Sequence, residues 1–141
     1  MAVNITRNSN IAHVKVAAGV SFFYKWLEFI KPLHGLTKLE MKVLAMFLAK
    51  RQELLGVISK ESIVGEILMG PANRRDIRDA MEMKQAQFNM ILSNLKKVGA
   101  ITDGMITPRY VPNVEVKSGE YRLILIFNIL HEDQEKPIQQ E

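Results

Sequence analysis

The sequence predicts an α+β chain that is mostly α: a helical core closed by a C-terminal β-hairpin, with an extra helix on its N-terminal side. Three observations lead there. Apolar residues recur at helical spacing in five separate stretches between residues 21 and 98. Thr37-Lys38-Leu39-Glu40 is a capping box, in which the threonine accepts from an early amide and the glutamate reaches back. Asp103-Gly104 between apolar residues, followed by the β-forming run Tyr121 to Phe127, is a hairpin signal.

The elements follow in order. Residues 1–10 are polar and carry no periodicity, and Ile11 to Val16 alternates weakly, as a short edge strand would. Phe22, Trp26, Phe29 and Ile30 repeat at helical spacing over Ser21 to Ile30, and this stripe is expected to pack in the core. Pro32 stops that helix. From Leu39 to Ala49 only Glu40 and Lys42 are polar, so the helix begun by the capping box should be the buried spine of the core. Lys50 to Gly56 ends it. Ser59 is expected to cap a short helix through Leu68, and Gly70-Pro71 then breaks the chain. Asn73 is a suitable N-cap for a helix over Arg74 to Met81. That helix turns Ile77, Ala80 and Met81 inward and Arg74, Arg75 and Arg78 outward. The turn Glu82-Met83-Lys84 leads to an amphipathic helix ending at Gly99. Phe88, Ile91, Leu92, Leu95 and Val98 form its core face; Ala86, Asn89, Met90, Ser93, Asn94 and Lys97 form the other. After Gly99 the chain reads as one β-hairpin with a long tip.

Composition narrows the function classes. The 141 residues contain no cysteine, which excludes disulfides and thiolate metal sites. His13, His34 and His131 are far apart, with no second ligand at metal spacing. Net charge is +4: residues 1–71 carry +4, residues 72–122 carry +3 and residues 123–141 carry −3. An acidic partner is therefore expected to avoid the tail from Glu132 and Asp133 onward. No apolar run reaches the ~18–20 residues of a membrane span, and the start lacks a signal-peptide apolar core. The chain is expected in the cytoplasm, or in a virion if phage-encoded. Ser93-Asn94-Leu95-Lys96 matches a bare Ser-x-x-Lys string, but helical spacing explains it. Neither a glycine-rich phosphate loop nor paired carboxylates appear, so the expectation is a non-enzyme without a cofactor.

The stretch from Arg74 through Phe88 to Leu95-Lys96-Lys97-Val98-Gly99-Ala100-Ile101 resembles the recognition half of winged helix-turn-helix DNA-binding domains. Leu36 to Leu44 is similar to the first helix of that fold. The resemblance covers about residues 36–127. It divides the chain into an N-terminal extension, 1–35, a winged helix domain, 36–130, and an acidic flexible tail, 131–141. The chain departs from the family in two ways. The 22 residues between Lys50 and Asn73 exceed the usual link and imply an inserted helix, and the outward face of the recognition helix is sparse in arginine.

The resemblance implies a helix in the major groove of double-stranded DNA. Gln85, Gln87, Asn89 and Ser93 are the candidates for base edges, because amide side chains pair bidentately with adenine. Lys96 and Lys97 are candidates for phosphate. Arg74, Arg75 and Arg78 form a basic cluster at the start of the preceding helix, where an anion is favoured. Pairing of these arginines with Asp76, Asp79 or Glu82 is the competing expectation. Arg109 and Lys117, with Arg122 nearby, would lie on the wing and meet the DNA backbone. Met90, apolar on a polar face, suits a thymine methyl or a protein surface equally. Two readings therefore stand: a DNA-binding transcription or replication regulator, or a phage connector or ring subunit that uses the same fold to contact virion proteins or copies of itself.

Overall fold

The computed structural model describes residues 3–5, 12–112, 114–117, 120–123, 126 and 128–130. It is mostly helical, with small antiparallel strand pairs, and its chain divides into two compact units, Met1–Val111 and Pro112–Glu141.

In the first unit, β1 (Val3–Ile5) pairs antiparallel with β2 (Ala12–Val14), Val3 opposite Val14. Strand β1 thus falls within residues 1–10, where the sequence carries no periodicity. Helix α1 (Val20–Phe29) packs on α3 (Lys38–Leu55) and buries Phe22, Phe23, Trp26 and Leu27. Phe29, expected inside, is 53% exposed, while Ile30 is buried. Pro32 does not merely end a helix. It lies in the first turn of the short α2 (Lys31–His34), where its missing N–H is not needed.

Helix α3 is the hub and meets α1, α4 (Glu61–Leu68), α5 (Pro71–Ala80) and α6 (Gln85–Lys97). Its capping box is formed: Thr37 Oγ1 accepts from the Glu40 amide and Glu40 Oε1 accepts from the Thr37 amide, at 3.2 and 2.9 Å. Met41, Val43, Leu44, Ala45, Phe47 and Leu48 are buried, each large apolar side chain contributing about 1.5–3 kcal/mol by leaving water. Phe47 also stacks on Phe88 of α6, ring centroids 6.5 Å apart. The helix runs to Leu55 with Gly56 at its C-cap, inside the Lys50 to Gly56 stretch expected to end it. Ser59 is not the cap of α4; Lys60 holds the N-cap position and gives no side-chain bond.

Helix α5 starts earlier than expected. Gly70 is its N-cap and Pro71 its first residue, a position proline suits because its fixed φ is already helical. Asn73 is therefore inside the first turn. Its amide is buried and donates to the Leu68 carbonyl at 2.8 Å, tying α5 to the end of α4. Ile77 is buried; Ala80, expected inside, is exposed, and Met81 is half-buried.

The expected single hairpin with a long tip is replaced by two local ones. β3 (Ile101–Thr102) pairs with β4 (Met105–Ile106) through the two-residue turn Asp103-Gly104. Both turn residues have positive φ, 54° and 71°, the geometry that makes Asp-Gly a hairpin signal. The chain then leaves the pair. Pro108, lacking an N–H, opens a 3-10 turn over Pro108–Tyr110. Tyr110 is buried, and its carbonyl accepts from Trp26 Nε1 at 2.9 Å. Nearby, the His34 ring is buried at α2: Nδ1 accepts from the Leu36 amide, so Nε2 carries the proton and donates to the Leu27 carbonyl, both at 2.9 Å. In the second unit, β5 (Val114–Lys117) pairs antiparallel with β6 (Glu120–Leu123), Val114 opposite Leu123. Of the run expected as one strand through Phe127, residues up to Leu123 lie in β6 and Ile126 is not in a strand; residues 124, 125 and 127 lie outside the described residues. The acidic tail from residue 131 lies outside the described residues.

Candidate nucleic-acid interface

The site is built from α5, the turn after it and α6. On α5, Pro71, Arg74, Arg75 and Arg78 fall at i, i+3, i+4 and i+7, one stripe of the helix surface. Asp76 and Asp79 fall beside it and are exposed. Among the described residues, only Arg78 of the three arginines is ion-paired, to Asp79 at 3.6 Å. The competing expectation, internal neutralisation, thus holds for one arginine of three. Arg74 Nε is buried without a hydrogen-bond partner.

The turn from α5 to α6 fixes where this stripe faces. The Met83 amide donates to the Arg78 carbonyl and the Glu82 amide to the Asp79 carbonyl, both at 3.0 Å. These two bonds are a Schellman cap, which needs a left-handed residue between helix and turn. Glu82 fills that place with φ 51°. Met83, the residue that follows, is buried. Helix α6 then begins at Gln85 with no side-chain cap, so no side chain quenches the positive end of its dipole. The result is a concavity of about 200 Å³ lined by Pro71, Arg74, Arg75, Arg78, Gln85, Phe88 and Asn89. It gathers five of the residues expected to touch DNA.

The remaining candidates lie elsewhere. Gln87, Ser93, Lys96 and Lys97 are exposed on α6 outside the concavity. Lys96 and Lys97 sit in the last turn, where cations also suit the negative end of the helix dipole. By the helical rise they are roughly 17 Å from Gln85 along the axis. Arg109 lies at that same end: its guanidinium stacks over the Tyr110 ring at 5.4 Å, and a Cβ on Gly99 would meet its Nη2 at 3.1 Å. Lys117 belongs to the second unit, opposite Glu120 in the strand register.

Periodicity groups Asn94 with the outward residues, but its amide Nδ2 donates to Glu40 Oε2 at 2.6 Å. It is half-buried and joins α6 to the capping box of α3. Phe88 and Pro71 form the apolar floor and wall of the concavity, and no pattern in the sequence marks them for that role. Among the described residues, no helix is long and apolar enough to cross a membrane, and no three His, Cys, Asp or Glu gather as metal ligands.

No family model matches this chain, and no curated protein or solved structure is significantly similar to it. The chemistry of the site is therefore read from its geometry. Two arginines with no ion pair among the described residues, a third weakly paired and two amide side chains converge on one open groove. Such a groove suits an anionic oxygen held by charge-assisted hydrogen bonds, with amides free to bond a neighbouring polar edge.

Proposed function

We propose that this protein binds double-stranded DNA through α5 and α6, in the manner of a winged helix-turn-helix domain, as a non-enzymatic regulator of transcription or replication in a phage host's cytoplasm. The observation that carries this reading is the arginine groove, in which Arg74 and Arg75 have no ion pair among the described residues. A phosphodiester oxygen supplies what these donors lack. Gln85 and Asn89, in the same groove, are then held beside base edges. Cations at both ends of α6 fit a duplex as well, because the major groove is about 12 Å wide and bounded by phosphates on each side.

Titration of random duplex DNA across a salt series, with the protein's mass in solution recorded in parallel, tests this. Affinity is expected to fall steeply with salt as bound cations displace counterions. The double substitution Arg74→Ala, Arg75→Ala is expected to lower the magnitude of the log–log salt slope by about 2, near 0.9 for each phosphate no longer neutralised. An unchanged slope would remove this groove from the interface. A second reading, a phage connector or ring subunit, draws on the exposure of Phe29 and of Leu33, which is 79% exposed. A large assembly that ignores DNA at low salt would favour it.

A further inference from the structure

The outward line of α6 differs from its flanks. Phe88, Ile91, Leu92 and Leu95 set the buried direction. At 3.6 residues per turn, Ala86, Met90, Ser93 and Lys97 lie opposite that direction, and Gln85, Asn89 and Lys96 lie along the flank that turns toward the arginine groove. Ala86 and Ser93 are short. Met90, between them, is 74% exposed and is the longer side chain. It needs no role in the core, and the cations at either end of the helix favour a polyanion over an apolar protein face as its neighbour. Methionine is unbranched and polarisable, and it adapts to an irregular apolar contact. In the major groove the one apolar group on a base edge is the C5-methyl of thymine, and adenine, its partner, presents the N7 and N6 pattern that an asparagine amide matches.

Resting on the duplex-DNA reading above, we propose that Met90 contacts thymine methyl groups while Asn89 faces adenine, so that α6 is selective for A·T base pairs. The selectivity is chemical rather than a matter of charge, so Met90 contributes nothing to the salt dependence.

The test uses the full chain and three duplexes of equal length: alternating A·T, the same duplex with uracil in place of thymine, and alternating G·C. Uracil deletes only the methyl group. The unmodified protein is expected to bind the uracil duplex about fourfold more weakly than the thymine duplex, the transfer free energy of roughly one methyl, and the G·C duplex more weakly still. Met90→Ala is expected to bind thymine and uracil duplexes alike, with an unchanged salt slope and an unchanged circular dichroism spectrum. Equal binding of both duplexes by the unmodified protein overturns the inference and leaves the duplex-DNA reading intact. Discrimination that persists in Met90→Ala also overturns it. If Met90→Ala instead changes the mass in solution and leaves discrimination as it was, the face belongs to a second copy and the inference fails. Absence of binding to any duplex, at low salt, removes the duplex-DNA reading and this inference with it.

Discussion

The same device, a Schellman cap, lies on either side of α6 and is used differently. Before the helix, a Schellman cap ends α5 with Glu82 at the left-handed position. After it, a second Schellman cap ends α6 with Gly99 there: the Gly99 amide donates to the Lys96 carbonyl at 3.1 Å and the Ala100 amide to the Leu95 carbonyl at 2.8 Å. Gly99 is unstrained at φ 83°, whereas Glu82 carries the Cβ penalty that glycine avoids. The far end is also knitted to the core. The Tyr110 hydroxyl reaches the Val98 carbonyl, Thr107 donates to the Gly99 carbonyl, and Trp26 holds the Tyr110 carbonyl. The near end opens instead onto the groove, where Arg74 and Arg75 have no ion pair among the described residues. Helix α6 is thus anchored where it leaves the site and accessible where it enters.

Three substitutions probe this contrast. The largest effect is expected at the anchor. Trp26→Phe leaves the buried Tyr110 carbonyl without its donor and opens space beside it, and should cost about 2–3 kcal/mol in urea denaturation. A loss under about 0.5 kcal/mol, the size of an ordinary surface substitution, would mean that the 3-10 turn does not hold the helix end. Gly99→Ala comes next. It places a Cβ at positive φ and 3.1 Å from Arg109 Nη2, for a destabilisation of about 1–2 kcal/mol. The smallest effect has the opposite sign. Glu82→Gly removes the strain at φ 51° and should raise stability by about 0.5–1 kcal/mol, net of the entropy glycine adds to the unfolded chain. If thermal unfolding shows Glu82→Gly to be destabilising, the two caps are not equivalent and the carboxylate has a role that its exposed position does not reveal.

Much of this arrangement is legible in the sequence because its causes are local. The capping box spans four residues, the Asp-Gly turn two, and the apolar face of α6 follows from one helix period, so each is written in neighbouring residues. The start of α5 is not legible, because Gly70-Pro71 serves a helix end and a helix start alike, and only packing decides between them. Asn73 reads as a cap for the same reason; its amide is instead taken up by the Leu68 carbonyl. The C-terminal strands read as one long hairpin because periodicity cannot see that Tyr110 is drawn toward Trp26, 84 positions earlier. In the candidate site, the arginine stripe can be read from spacing. Its meeting with Gln85 and Asn89 depends on the backbone geometry at Glu82, which no residue preference announces. Arg109 can be named as a cation from the sequence but not placed at the end of α6.

The Glu40 carboxylate serves the Thr37 amide with one oxygen and Asn94 with the other. The first bond closes across three positions and costs little chain entropy, so it forms as soon as α3 does. The second spans 54 positions and joins an acceptor that is already aimed. The carboxylate therefore acts as a gauge block: one oxygen closes the start of α3, and the other holds α6. The pose of α6 is thereby tied to the first turn of α3.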